Sequence, residues 1–135
     1  MSKIVELINS IEKVKAIGGA SDSQISEAEN ALGVSFSADY RDYLKNFGVI
    51  RFNGIELCGL NISGYLNVVD ATMQEKDVND KFPEGMYVIE DLGVDARLII
   101  GDSTGNVYLL QRDKKKLICS SFTEYVEKCK MRIKF

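Results

Sequence analysis

The feature that most restricts the fold of this sequence is a change in the spacing of its apolar residues near Gly48. Before that point apolar side chains recur every three or four residues, which predicts amphipathic helices. After it they fall in short β-prone runs separated by turn-forming residues, which predicts strands. A block of helices followed by a block of strands is typical of an α+β fold.

Helices are predicted over residues 3–16, from Ser21 to Leu32 and from Ser37 to Phe47. The second begins with a capping box, because Ser21 and Gln24 stand three residues apart at its start, and Gly33 suits the left-handed position after its end. A further capping box at Ser121 and Glu124 predicts the closing helix of the chain. In between, a short helix beginning at Asn67 or Asp70 is predicted before a polar loop.

Six strands are predicted, over residues 49–52, 55–58, 86–90, 96–100, 106–110 and 116–119. Asn53-Gly54 is a strong hairpin signal between the first two, and the last four form an antiparallel meander. We therefore expect a single domain over residues 1–135, with about four helices packed on a mostly antiparallel sheet of about six strands.

The composition narrows the class of protein. A chain of 135 residues, 45% of them hydrophobic, can bury one core. No apolar run is long enough for a signal peptide or a membrane span, so we expect a cytoplasmic protein. The three cysteines lack CxxC spacing and the chain has no histidine, which argues against a zinc site, a disulfide framework and Cys–His catalysis.

Two patterns raise the question of catalysis. Residues 101–105 have the G-x-S-x-G form of a nucleophile elbow, but that motif needs a histidine and a following helix, so a hairpin turn is the preferred interpretation. An acidic cluster is the second pattern, and its residues are Glu90, Asp91, Asp95 and Asp102. Three interpretations remain open for it: a metal site, a contact with a partner, and solvated surface charge. A metal-dependent hydrolase is the least favoured function, and we expect no enzyme, cofactor or metal.

Charge is distributed unevenly along the chain. Residues 53–105 carry a net charge of −7 and residues 106–135 a net charge of +5. An acidic region does not suit nucleic acid, but it suits a basic protein partner. The candidate partner-binding residues are Glu56, Asp70, Glu75, Asp77, Glu90, Asp91 and Asp95. Tyr65 and Tyr87 lie outside the helical aromatic stripe, and either is a candidate aromatic anchor of an interface.

Two segments carry a family resemblance. Residues 26–60 contain an acidic helix ending in Leu32-Gly33, a helix ending in Phe47-Gly48, and the run Glu56-Leu-Cys-Gly-Leu60. Residues 87–102 read as a strand, an acidic turn and a second strand ending at a glycine and an aspartate. In order and spacing these segments resemble the SUKH superfamily, which groups bacterial immunity proteins with yeast regulators of cell-wall synthesis. Ser37 stands where that family usually has proline.

The resemblance implies an α+β fold and a non-enzymatic role. Bacterial members are commonly immunity proteins that bind and neutralise secreted polymorphic toxins, often nucleases or other nucleic-acid-modifying enzymes. The expected partner is thus a protein toxin, basic if it binds nucleic acid, encoded by a neighbouring gene, with no role for nucleic acid or a membrane. The alternative is a regulatory scaffold that binds an endogenous protein. The sequence identifies neither the toxin nor the oligomeric state.

Overall fold

The computed structural model describes residues 2–131. Its helices are α1 (Lys3–Asn9), α2 (Asp22–Leu32), α3 (Ala38–Asn46), α4 (Val68–Val78) and α5 (Phe122–Lys130). Its strands are β1 (Lys15–Ala16), β2 (Ile50–Phe52), β3 (Ile55–Leu57), β4 (Tyr87–Asp91), β5 (Arg97–Gly101), β6 (Val107–Gln111) and β7 (Lys114–Cys119). The predicted α+β class is confirmed, with element counts close to those expected.

The strands form two antiparallel sheets in the described part of the chain, with the orders β1-β2-β3 and β4-β5-β6-β7. The hairpin at Asn53-Gly54 and the four-stranded meander are both present. At the junction of the two sheets the amide of Cys58 donates a hydrogen bond of 2.7 Å to the carbonyl of Ile89. The α4 helix packs on β4, and α5 contacts α1, α3 and β7.

Helix starts follow the predicted caps. Ser21 and Gln24 form the complete capping box, and Gly33 adopts the left-handed conformation with φ of 65°. Ser121 accepts a bond from the amide of Glu124, but the Glu124 carboxylate reaches the amide of Ser120 instead of closing the box.

The first helix is shorter than predicted. It ends at Asn9, and Ser10 caps it by donating its hydroxyl to the carbonyl of Leu7 at 2.6 Å. Lys13 then has φ of 60°, and Lys15–Ala16 pairs with β2. Ile11 stays buried in the turn after the helix, so the apolar spacing outlasts the helical backbone.

An aromatic cluster fills the centre of the core. The Tyr40 ring lies 4.9 Å from the Tyr87 ring and 5.0 Å from the Phe122 ring, measured between centroids. The Tyr40 hydroxyl donates to the carbonyl of Cys58 at 2.8 Å, and the Tyr43 hydroxyl donates to that of Leu57 at 3.0 Å. These bonds fix α3 against β3. Tyr87 is buried and therefore does not supply an exposed anchor.

Two glycines of the family-like segment have a structural role. The amide of Leu60 donates to the carbonyl of Gly48 at 3.0 Å, which brings two backbone segments into contact. A Cβ atom on Gly59 would lie only 1.6 Å from that carbonyl oxygen. The close approach therefore excludes any side chain at Gly59. Cys58, Cys119 and Cys129 are buried free thiols.

Candidate partner-binding surface

The predicted acidic residues do not all lie on the surface. A β-bulge between Val88 and Glu90 shifts the register of β4, so that Glu90 pairs with Ile99. Strict alternation from Tyr87 would place Glu90 on the opposite face of the sheet, but the bulge turns it towards α5. There its carboxylate accepts a hydrogen bond from the Tyr125 hydroxyl. Only 8% of Glu90 is exposed, so it does not have the surface position that the prediction assumed.

Burial also changes the protonation of Glu90. Loss of solvent raises the pKa of its carboxyl, the bond from Tyr125 opposes that rise, and the nearby Asp91 adds to it. A buried carboxyl with a hydroxyl partner is a typical internal polar pair. Glu90 therefore belongs to the core.

Three other predicted residues, Glu56, Glu75 and Asp91, are partly or fully exposed. Burial raises the pKa of the Cys58 thiol to about 12, and the negative charges of Glu90, Asp91 and Glu56 add to the rise. Desolvation raises the pKa of Glu75 on α4, and the charge of Asp91 raises it further. We call Glu56, Asp91 and Glu75 the acidic surface, because they are the predicted acids that are exposed or half-buried on β3, β4 and the helix α4 that packs on β4.

Tyr65 projects from the domain beside this surface. Tyr65 is 67% exposed, and within residues 2–131 it is the one aromatic residue that is exposed. Its hydroxyl donates to both carboxylate oxygens of Glu56 at 3.1 Å, and Glu56 also pairs with Arg51 at 3.2 Å. The hydrogen bond to Glu56 raises the pKa of Tyr65. The exposed ring is thus oriented by an acidic side chain.

The loop that carries Tyr65 is held at several points. The amide of Gly59 donates to the carbonyl of Leu66 at 2.8 Å, and the Asn67 side chain donates to that of Ile62 at 2.9 Å. The thiol of Cys58 donates to the carbonyl of Tyr65 itself at 3.6 Å. The backbone below the exposed ring is therefore fixed to β3 and to the start of α4.

The remaining predicted acids are scattered. Asp70 accepts a bond from the amide of Gly64 at 3.3 Å and lines a separate groove between α2 and α4. Asp77 is exposed on α4. Asp95 and Ala96, with φ of 52° and 57°, form the turn between β4 and β5, and the carbonyl of Asp95 accepts a bond from the Gln111 side chain at 2.8 Å. The sequence therefore grouped residues that the fold separates.

A groove adjoins the acidic surface and was not predicted. It has a volume of about 370 Å³ and lies between the end of α4 and one face of β5 and β6. We call it the α4–sheet groove, and its lining residues are Glu75, Val78, Asn79, Ala96, Leu98, Leu110 and Arg112. The one sequence signal for it was Val78, an apolar residue between Asp77 and Asn79 at the end of a helix.

The chemical features that suggested catalysis have structural explanations. Asp102 within the G-x-S-x-G segment accepts bonds from the amides of Thr104 and Asn106, both at 3.0 Å, and from the Tyr108 hydroxyl at 3.1 Å. The segment is a hairpin turn followed by a strand, as predicted. Within residues 2–131 no group of three or more His, Cys, Asp or Glu side chains is arranged to hold a metal ion. None of the helices in that range is long and apolar enough to cross a membrane.

Two comparisons with known proteins find related sequences. The family model SUKH_5, described as SMI1-KNR4 cell-wall, matches residues 1–130. Among curated proteins the chain is similar to the uncharacterized protein YnaB of Bacillus subtilis (strain 168), with 34% identity over 98 residues. The match covers 70% of this chain and 60% of YnaB, so it spans less than two thirds of that relative.

Proposed function

This chain belongs to the SUKH_5 family, and from that premise we propose that it is an immunity protein that binds and neutralises a protein toxin. The family match over residues 1–130 is the observation that carries the proposal. An immunity protein acts by occupying its target, so it needs a complementary surface and no catalytic groups of its own.

The charge of the surface supports a basic partner. Glu56, Asp91 and Glu75 are exposed or half-buried, and Tyr65 offers an aromatic ring that Glu56 orients. Aromatic side chains surrounded by polar groups are frequent anchors of interfaces. A toxin that binds nucleic acid must present positive charge, so this surface suits a nuclease or another nucleic-acid-modifying enzyme.

The test is co-expression with the product of the gene adjacent to the one encoding this chain. We expect the protein to restore growth of cells that express that product and to form a complex with it in size-exclusion chromatography. Tyr65→Ala should weaken the complex, whereas Leu117→Ala should not, because Leu117 is a similarly exposed apolar residue on β7, away from the acidic surface.

Growth that stays arrested, together with the absence of a complex, would contradict the proposal. The regulatory-scaffold alternative would then be favoured if the gene has no toxin-encoding neighbour. Both functions would use the exterior of the domain, so they differ only in the partner that is bound.

A further inference from the structure

We propose that the α4–sheet groove binds an apolar side chain of the toxin, one that is followed or preceded by a lysine or arginine. The proposal rests on the immunity function and assigns the contact that places the partner on the domain. Three properties of the groove support it: its shape, the apolar residue at its edge and the charge on its two sides.

The shape suits a side chain. At about 370 Å³ the groove is near the lower limit of the ~300–1,000 Å³ typical of ligand pockets. Leu98 and Leu110 form its floor and are 6% and 1% exposed, so the floor belongs to the packed sheet. The Asn79 side chain donates to the carbonyl of Arg112 at 2.9 Å, which ties the end of α4 to the turn between β6 and β7. The groove is therefore bounded by anchored elements.

Val78 gives the groove an exposed apolar edge. Its side chain is 73% exposed, although it lines the same groove as Leu98 and Leu110. An apolar side chain of a partner placed over the floor would cover Val78 as well, and burial of such surface drives association. The fully buried centre of an interface is more apolar than its polar rim, and its best-packed side chains fill pockets on the partner.

The charges beside the groove favour a lysine or arginine next to the apolar side chain in the sequence of the toxin. Glu75 lies in the wall, and within the described residues its carboxylate forms no ion pair. The negative charge of Glu75 would attract a cation that enters the groove beside it. On the other wall Arg112 is followed by the lysines of β7. The groove is thus negative on the α4 side and positive on the β6–β7 side, which orients the partner.

The test measures the affinity of the full chain for the product of the adjacent gene by isothermal titration calorimetry. Val78→Lys adds a positive charge at the edge of the groove and should weaken binding by about tenfold or more. Leu117→Lys is the matched control, because it makes the same chemical change at a residue that is 56% exposed and outside the groove; it should change the affinity by less than about twofold. Glu75→Gln should weaken binding and reduce its dependence on salt, whereas Glu127→Gln, on the exposed side of α5, should do neither.

The outcomes separate the two proposals. If the wild-type chain binds and Val78→Lys binds equally well, the groove assignment is wrong and the immunity function stands. If Val78→Lys and Leu117→Lys weaken binding equally, the groove assignment is also wrong. If the wild-type chain binds nothing, the immunity function fails and the assignment fails with it. Circular dichroism spectra of the variants identify any that fail to fold, and Val78→Ala then replaces Val78→Lys.

Discussion

The Tyr125 hydroxyl of α5 donates a hydrogen bond to the Glu90 carboxylate of β4 inside the core. This pair joins the closing helix to the bulged strand of the four-stranded sheet. It also explains why an acidic residue occupies a buried position, because the hydroxyl satisfies an oxygen that would otherwise lack a partner.

The pair makes stability depend on pH. Burial raises the pKa of Glu90 in the folded protein above its ordinary value of 4.5, so its contribution to stability is complete below that value. This stabilisation is lost as the pH rises through the higher pKa that Glu90 has in the folded protein. Glu90→Gln keeps the acceptor oxygen without the charge, so the free energy of unfolding of the wild type should fall relative to the variant as the pH rises. Urea unfolding from pH ~4 to ~8 measures this difference.

Two variants complete the Glu90 experiment. Tyr125→Phe should lower the free energy of unfolding by about 1–3 kcal/mol, because it removes the donor to a buried carboxyl. Glu127→Gln changes an exposed carboxyl of the same helix, and its curve should run parallel to that of the wild type. A Glu90→Gln curve that also ran parallel to the wild type would show that Glu90 does not titrate differently on folding.

The close contact between Gly59 and Gly48 predicts that a side chain at position 59 destabilises the fold. Gly59→Ala would place a Cβ atom 1.6 Å from the Gly48 carbonyl oxygen, which is backbone and cannot move aside alone. We expect a loss of about 3 kcal/mol or more, measured by chemical denaturation. The control is Gly85→Ala, because φ is 75° there but no atom lies within 4 Å of the added Cβ. This variant should lose about 1–2 kcal/mol of stability, since only the left-handed backbone is unfavourable for alanine. Equal losses at the two positions would contradict the steric explanation.

Asp102 predicts the opposite pH dependence from Glu90. Partial burial alone would raise the pKa of Asp102, but hydrogen bonds from Thr104, Tyr108 and Asn106 outweigh it and lower the pKa below its ordinary value. The stabilisation that Asp102 gives the folded state is therefore present above its ordinary pKa of 3.8. It is lost as the pH falls through the lower pKa that Asp102 has in the folded protein. Asp102→Asn should lower the melting temperature at neutral pH, and the gap to the wild type should narrow in acid. A difference in melting temperature between Asp102→Asn and the wild type that stayed constant with pH would refute this role of the Asp102 carboxylate.

Charge reversal tests the acidic exterior. Because Glu90 is buried, Asp91→Lys combined with Asp95→Lys is the suitable double variant, since both residues are exposed. We expect association with a basic partner to slow by about tenfold or more at low salt and to depend less on ionic strength. Glu127→Lys, on α5, is the control and should leave the association rate nearly unchanged. Stopped-flow kinetics at two salt concentrations measure both effects, and unchanged kinetics in the double variant would exclude these two residues.

Local sequence signals predicted most of the elements. Capping serines at Ser21, Ser37 and Ser121 place the starts of three helices because a cap is set by residues close in sequence. The pairing of Lys15 with Arg51 was missed because a two-residue strand leaves no periodicity and its partner is far along the chain. The apolar spacing through Ile11 instead suggested a longer helix.

The site was predicted less completely than the fold. The acidic character of the middle of the chain follows from composition, but the position of each carboxylate depends on the tertiary structure. Glu90 was predicted to lie on the surface because it is charged and stands beside a turn, where acidic side chains are usually solvated. The packing of α5 on the sheet, which buries it, cannot be read from residues near it in sequence. The α4–sheet groove was missed because Val78 and Leu98 come from elements whose packing is non-local.

The bonds beneath Tyr65 bear on the thermodynamics of any complex formed there. A ring on a loose loop would have to lose conformational entropy on binding, and that loss would reduce the affinity. Here the loop backbone is tied to Gly59 and Asn67, and the hydroxyl is already directed by Glu56. A partner that contacts this ring would therefore meet a preorganised surface, and docking there would approach a rigid-body encounter.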